Sequence, residues 1–207
     1  MSVPDKSIDS RLLSAAKSEF LKKGYKLSSL TDICKEAGVT TGALYKRYAG
    51  KEELFSALVS DTVQELTEYV AGIEKTDLTN LTDRELYHSF SMPVENTRKW
   101  LRFLYDRREC FTLLIRCASG TRYENFHQDW TEKMNLMDYK YYQEARRRGL
   151  VEREITAEEL HVLTFSIWAL CYEPFLLDFT WEQFERHAQT IHHFINWYDA
   201  LGFKKPE

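Results

Sequence analysis

The sequence is poor in the two residues that most often interrupt helices, with 4 prolines and 8 glycines in 207 positions. Residues with good intrinsic helix propensity dominate the rest of the chain. This composition favours an all-α protein. The length allows one large domain or two small ones, with a sizeable hydrophobic core.

Several other sequence features are missing, and each absence excludes a class of protein. No apolar run approaches the roughly 18 residues of a membrane span, and no secretory signal is visible at the amino terminus. The sequence has four cysteines, Cys34, Cys110, Cys117 and Cys171. They form no CxxC pair and do not have the spacing of a zinc finger. We therefore expect a cytoplasmic protein with reduced thiols that does not associate with membranes. A thiol sensor is the less favoured alternative.

Sequence patterns for catalysis are also missing. There is no glycine-rich phosphate loop, no internal repeat and no zinc-binding H-E-x-x-H pattern. No serine or cysteine pairs convincingly with a base. We therefore predict a protein that is not an enzyme and holds no cofactor or metal.

Charge is unevenly distributed along the chain. The protein has a net charge of −4, which by itself argues against nucleic acid as a partner. Residues 1–51, however, contain ten Lys or Arg and five Asp or Glu, a net charge of +5, which leaves −9 for the remainder. A basic amino-terminal segment on an acidic body is typical of a protein that docks one end on DNA.

Residues 28–51 of this basic segment predict two short helices joined by a tight turn. Their sequence is SSLTDICKEAGVTTGALYKRYAGK. Ser29 followed by Asp32 has the spacing of a capping box. Gly38 suits the left-handed exit from the first helix, and Thr40 suits the cap of the second. Val39 and Leu44 have the spacing of a hydrophobic staple. The stretch predicts a helix-turn-helix.

The outward side of the second helix lacks carboxylates, although a solvated helix face normally mixes both signs of charge. It offers hydroxyls, a glycine, a tyrosine and two cations, in Thr40, Thr41, Gly42, Tyr45, Lys46 and Arg47. Such groups suit phosphates and base edges. The alternative is a small polar helix that serves only in packing.

The residues of this stretch resemble the DNA-binding domain of the TetR family of transcriptional regulators, over about residues 8–60. The resemblance rests on the run from Ile33 to Thr40, on Gly42, Leu44, Tyr45 and Tyr48, and on the closing run from Lys51 to Phe55. It implies an all-α homodimer with a three-helix DNA-binding domain at residues 1–50 and an effector-binding and dimerisation domain at residues 51–207. We predict the following DNA-binding residues: Ser29, Thr31, Thr40, Thr41, Gly42, Tyr45, Lys46, Tyr48 and Lys51.

The remaining chain predicts further amphipathic helices. The spacing of apolar residues indicates a first helix ending near Gly24, a fourth from about residue 51 to 73, and a fifth, kinked by Pro93, from about residue 82 to 105. A short helix over about 106–117 and a long one over about 122–148 follow. The arginines at 146–148 are better explained by compensation of a helix carboxyl end than by nucleic-acid binding.

Two final helices, over about residues 157–177 and 181–201, carry apolar stripes with the three-and-four spacing of helix-bundle seams. Together they offer more apolar surface than one packing contact hides, so either the body of the chain or a second subunit covers it. The resemblance implies a four-helix dimer interface. We predict these interface residues: Leu163, Ile167, Leu170, Phe184, Ala188, Ile191, Ile195 and Tyr198.

The body is also rich in aromatic side chains that either fill a core or line a cavity. We predict that some of them line a mostly apolar pocket for an apolar or aromatic effector, and the candidates are Trp100, Phe103, Phe111, Phe126, Trp130, Trp168 and Tyr172. The resemblance implies a repressor released from inverted-repeat operator DNA by this effector, with activation left open. The alternative is an effector-free dimeric DNA-binding module controlled by a protein partner.

Overall fold

The structure is a computed structural model that describes residues 6–91, 93–194 and 196–204. Within these ranges the chain is helical and forms no β-strand, apart from one isolated antiparallel bridge between Val151 and Phe203. The prediction of an all-α protein is confirmed. None of the helices in these ranges has both the length and the apolar character needed to cross a membrane.

The helices follow the order expected from the apolar periodicity, and their bounds are α1 Lys6–Leu27, α2 Leu30–Ala37, α3 Thr41–Tyr45, α4 Lys51–Glu74, α5 Asp83–Ser89, α6 Val94–Asp106, α7 Arg108–Thr112, α8 Phe126–Arg147, α9 Ala157–Leu176, α10 Trp181–Phe194 and α11 Trp197–Leu201. A 3₁₀ turn at Leu78–Asn80 precedes α5, and a π-helical segment at Leu113–Cys117 follows α7. The predicted fifth helix is two helices, because Pro93 precedes α6 and has no N–H to continue the ladder.

The contacts divide the chain into two compact units. The first contains the residues through Glu68 together with Arg107–His127, and the second contains Tyr69–Asp106 and the residues from Gln128 onward. The first unit therefore reaches beyond the predicted domain boundary at residue 50. It includes most of α4, through Glu68, and a distant segment of the chain.

The core of the first unit forms where α1, α2, α3 and α4 meet, and the π-helical segment closes it. Phe20, Leu44 and Phe55 are fully buried there. Ion pairs join the distant segment to α1 and α4, with Glu109 bound to Lys17, Arg107 to Glu65 and Arg122 to Glu52. This packing gives the two short helices α2 and α3 a fixed support.

The second unit uses the arginines at the end of α8 for internal contacts. Arg148 donates to the carbonyl oxygens of Leu78 and Leu81 at 2.7 and 2.6 Å and pairs with Glu144 and Asp83. Arg147 and Arg148 lower the pKa of the Glu144 carboxyl to about 2 through charge-assisted hydrogen bonds. Arg148 thus connects the end of α8 to the 3₁₀ turn and to α5, and these bonds do not reach the carbonyl groups at the carboxyl end of α8.

Part of the predicted dimer interface, the apolar stripe of α10, is buried within the single chain. Phe184, Ala188 and Ile191 are 1%, 0% and 0% exposed within the single chain, because α10 packs against α6. The Phe184 ring lies 5.3 Å from the Tyr105 ring and 4.6 Å from the Phe175 ring, measured between centroids. These residues are therefore core residues of the second unit and are not available to a partner.

The other predicted interface residues have mixed positions. Leu163, Ile167 and Leu170 are half-buried. Tyr198 stacks on Tyr87 with 4.2 Å between ring centroids, so it too has an internal partner. Ile195 lies outside the described residues.

Candidate nucleic-acid interface and internal cavity

The helix-turn-helix is built by side chains that satisfy the backbone at each helix end. Ser29 Oγ accepts hydrogen bonds from the N–H groups of Thr31 and Asp32 at 3.2 and 3.4 Å, and thereby caps α2. The reciprocal half of the expected capping box comes from Glu19, whose carboxylate accepts the Ser29 N–H at 3.4 Å. Asp32 instead pairs with Lys23. The sequence placed the cap correctly but missed the buried Glu19.

The turn between α2 and α3 has the geometry that the sequence predicts. Gly38 adopts φ 64° and ψ 39°, the left-handed conformation, and Val39 N–H donates to the Cys34 carbonyl at 2.9 Å. Thr40 Oγ1 then accepts from the Ala43 N–H at 3.2 Å and caps α3. Leu44 is fully buried and anchors α3 on the core. The turn fixes which side of α3 faces outward.

Replacing Gly38 by alanine should lower the free energy of unfolding by about 1–2 kcal/mol, because an L side chain resists positive φ. The added Cβ itself has room, with its nearest neighbour, an Arg11 guanidinium nitrogen, at 3.5 Å. Chemical denaturation measures the change. Gly72→Ala is the matched control, since Gly72 lies exposed in the last turn of α4 and lacks a positive φ, and there alanine should stabilise by at most roughly 0.5–1 kcal/mol. Equal effects of the two substitutions would contradict the assigned conformation.

The outward face of α3 carries most of the predicted DNA-binding residues. Thr41 and Gly42 are exposed on α3, Thr40 and Lys46 are exposed at its two ends, and Thr31 is exposed on α2. Tyr45 is 59% exposed although it is a large aromatic residue. Arg47 turns away from this group, because it pairs with Asp9 at 3.0 Å and donates to the Ala43 carbonyl.

Three predicted DNA-binding residues have structural roles. Ser29 caps α2, and the half-buried Tyr48 packs on the core of the first unit. The Lys51 ammonium group donates to the carbonyl oxygens of Tyr25, Lys26 and Ser28 at 2.7, 3.4 and 3.0 Å. Burial lowers the pKa of Lys51. Since all three of its protons are used at the end of α1, we leave Lys51 out of the proposed contacts.

The second unit contains a cavity of about 250 Å³. Two of the predicted ligand-binding residues, Trp100 and Trp168, line it, and Trp197 adds a third indole ring. The other lining residues are Tyr69, Ser89, Phe90, Ser91, Asn96, Thr97, Asp138, Leu160, Thr164, Ile167 and Cys171. The cavity is therefore mostly apolar and aromatic, with a few polar groups.

The remaining predicted ligand-binding residues do not line this cavity. Phe111 and Phe126 belong to the first unit, where Phe126 packs on the core, so their assignment is corrected. Phe103 and Trp130 stack on Trp100 at 5.5 and 6.3 Å between centroids and support the wall from behind. Tyr172 is half-buried in α9, and the cavity does not include it.

Asp138 also lines the cavity, and the sequence did not predict it. It lies on the inward stripe of α8, in the helical spacing of the buried residues Met134, Tyr142 and Ala145. A carboxylate at a position of an apolar stripe is the pattern that could have identified it. The cysteines, in contrast, show no activation, since burial raises the pKa of the thiols of Cys34, Cys110, Cys117 and Cys171.

The fold and the capped turn define a class, the all-α proteins with an amino-terminal helix-turn-helix. Residues 12–58 match the family described as bacterial regulatory proteins, tetR family. The amino-terminal domain of this chain is therefore similar to the DNA-binding domain of the tetR family.

Known relatives agree with this assignment. The chain is 36% identical over 75 residues to the transposon Tn10 TetC protein of Escherichia coli, which covers 36% of this chain and 37% of that protein. It spans less than half the length of the curated relatives it matches.

Solved structures extend the likeness in fold to nearly the whole chain. SCO3833, a member of the TetR transcriptional regulator family from Streptomyces coelicolor, superposes with a TM-score of 0.59 at 20% identity, over 95% of this chain and 94% of the other. NalD of Pseudomonas aeruginosa superposes with a TM-score of 0.55 at 20% identity, over 90% and 95% of the two chains. NalD is described as the secondary repressor of the MexAB-OprM multidrug efflux pump.

Proposed function

We propose that this protein is a DNA-binding transcriptional regulator that acts as a homodimer and responds to a small molecule bound in its second unit. The observation that carries the proposal is the exposed face of α3. That face presents hydroxyls, a tyrosine and a lysine on a helix held by a capped turn and a buried leucine. The net charge of +5 in residues 1–51 supports it, since a basic surface attracts the phosphate backbone.

The residues of this face suit two kinds of contact. Tyr45 presents a phenol to solvent, and we assign it to positioning on the phosphate backbone. Thr41 and Lys46 are the candidates for base edges, because a helix in the major groove brings such side chains within reach of hydrogen-bonding groups. Repression is the proposed mode of action. It draws support from the similarity to the tetR family and from the structural likeness to NalD, which is a repressor.

Selection from a pool of random double-stranded DNA tests this function. The wild-type protein should enrich a sequence with two inverted half-sites, because a two-fold symmetric dimer binds a two-fold symmetric operator. Enrichment of a sequence without inverted symmetry would argue against the dimer. Failure to enrich any sequence would argue against the function itself.

The outer apolar face, which we define as Val162, Phe165, Leu177 and Phe194, is the proposed dimer surface. These side chains of α9, α10 and the residue after α9 are 63%, 45%, 66% and 75% exposed. Several large apolar side chains exposed on one pair of helices suit an interaction site. It replaces the predicted stripe of α10, which is buried.

Phe165→Glu combined with Val162→Glu should convert the dimer to monomers, because the two carboxylates would lose their hydration in the contact. Light scattering measures the mass in solution. Leu136→Glu is the control, since Leu136 is 61% exposed on α8 and does not belong to the outer apolar face. An unchanged dimer in the double variant would show that the interface lies elsewhere.

The cavity favours control by a small molecule over the alternative of an effector-free module controlled by a protein partner. Its volume suits a small aromatic ligand, and three indole rings line it. Such a ligand weakens DNA binding only if it binds the non-binding conformation more tightly. Quenching of tryptophan emission reports occupancy directly, because Trp100, Trp168 and Trp197 line the cavity.

A further inference from the structure

The Asp138 carboxyl group borders the cavity without a cationic partner. Among the described residues, it accepts one hydrogen bond, from Thr164 Oγ1 at 3.2 Å to Oδ2. No Lys, Arg or His of the described chain forms an ion pair with it. Burial raises the pKa of Asp138, and the hydrogen bond from the Thr164 hydroxyl lowers it. A carboxylate in such surroundings is poorly stabilised when charged.

The rest of the cavity lining supplies no compensating charge. The titratable groups that share it with Asp138 are Tyr69 of α4 and Cys171 of α9. Burial raises the pKa of both, that of Cys171 to about 12, so both are neutral at pH 7. Helix α6 contributes Asn96, Thr97 and Trp100, and the segment after α5 contributes serines. Asp138 is therefore the one lining residue that becomes charged at neutral pH.

The aromatic wall suits a positive charge as well as an apolar body. The Trp168 ring meets the Trp100 ring edge-on at 5.9 Å, while Tyr69 stacks on Trp100 at 4.7 Å. Indole faces attract cations through the ring quadrupole, and the attraction grows where water is excluded. Carboxylate and indoles together thus favour a cation over a neutral or anionic molecule.

Two further lining groups lack hydrogen-bond partners. Thr97 is 4% exposed, and neither its Oγ1 nor the Trp100 Nε1 has a partner within the described part of the chain. Buried polar groups are rarely left unsatisfied in a native protein. The cavity therefore has groups available to a guest in addition to the carboxylate.

We propose that the cavity binds an aromatic organic cation, with its ring system against Trp100, Trp168 and Trp197 and its positively charged nitrogen at the Asp138 carboxylate. This inference rests on the proposed function and specifies the chemical class of the effector. The cation supplies the counter-charge that the protein lacks at this position. A neutral aromatic molecule would leave the carboxylate unpaired or protonated.

The proposal includes a dependence on pH. Burial at the cavity raises the pKa of Asp138 to about 7, and the Thr164 hydroxyl only partly opposes this shift. Below that pH the free protein carries a proton on Asp138, which a permanent cation must displace. Its affinity should therefore fall roughly tenfold per pH unit on the acid side and level off above pH 7.

N-methylquinolinium and 1-methylnaphthalene are suitable probes, because they have nearly the same shape and differ in charge. Quenching of tryptophan emission at pH 8 should give tighter binding of the cation, by about tenfold or more. Asp138→Asn should abolish that preference, whereas Asp129→Asn, at an exposed position of the same helix, should retain it. In the wild type, acidification from pH 8 to 5 should weaken the binding of the cation alone.

Equal affinities for the two probes, no binding of N-methylquinolinium, or a preference retained in Asp138→Asn would each overturn the proposal. If Asp138→Asn does not fold, the pH series on the wild type decides, and a pH-independent affinity for the cation is the contradicting result. Binding to the selected DNA is measured in the same preparations. Intact DNA binding without cation binding would reject the effector class and leave the proposed function standing.

Discussion

Tyr45→Ala combined with Lys46→Ala should weaken binding to the selected DNA by on the order of 100-fold at matched salt. Both side chains are exposed on α3, so their removal leaves the core of the first unit intact. Fluorescence anisotropy of a labelled duplex measures the affinity. Unchanged melting temperatures would confirm that the loss is one of binding.

The single Lys46→Ala variant separates two roles for this lysine. If Lys46 contacts a base, the loss should be about 1–3 kcal/mol, and discrimination among sequences should relax at one position. If it contacts a phosphate, binding should weaken for all sequences. The slope of the logarithm of the binding constant against the logarithm of the salt concentration should then fall in magnitude by about one. Lys140→Ala, at an exposed position of α8, is the control and should bind as the wild type does. Equal affinity of wild type and double variant would remove α3 from the interface.

Ile191→Glu should destabilise the single chain by about 4 kcal/mol or more, because it places a carboxylate in the core between α10 and α6. Ile191 is 0% exposed, and α10 packs on α6 within the same chain. Urea denaturation should show an early transition or no folded baseline. Gln189→Glu puts the same charge on the exposed side of the same helix and should leave the midpoint nearly unchanged.

The same variant distinguishes the observed fold from the interface that the sequence predicts. A folded Ile191→Glu protein of wild-type stability that is merely monomeric would restore the α10 stripe as a dimer contact. Loss of folding would confirm that the stripe belongs to the core. The outer apolar face would then remain the candidate contact.

Local structure at the helix-turn-helix followed from the sequence because its determinants lie close together in the chain. Ser29, Gly38 and Thr40 each act on backbone groups within five residues, and the observed caps match the prediction. The second half of the Ser29 cap was not predictable in this way. It comes from Glu19 on another helix, and the spacing of Ser29 and Asp32 suggested a nearer partner.

The misassigned residues share a different cause. Periodicity shows that Phe184, Ala188 and Ile191 form one apolar face, but it does not tell whether the same chain or a second chain covers that face. A lysine in the first turn of a helix likewise suggests a phosphate contact, because the sequence does not show which groups its ammonium binds. In the structure Lys51 binds three carbonyl oxygens from residues more than twenty positions earlier.

The sequence predicted an aromatic cavity, but it identified only some of the residues that line it. Aromatic enrichment indicated a cavity wall, and Trp100 and Trp168 do line one. Phe111 and Phe126 were grouped with them because aromatic content carries no information about which unit a side chain joins. Asp138 was not predicted because a single carboxylate within an apolar helical stripe can equally lie at the edge of that stripe in solvent.

A hydroxyl-radical footprint on the selected duplex tests most directly whether this protein is a sequence-specific DNA-binding regulator. The wild-type protein should protect two half-sites related by two-fold symmetry, with centres about one helical turn or a multiple of it apart. The Tyr45→Ala/Lys46→Ala variant should protect neither at the same concentration. Protection that is uniform along unrelated DNA, or absent for the folded wild-type protein, would contradict the account.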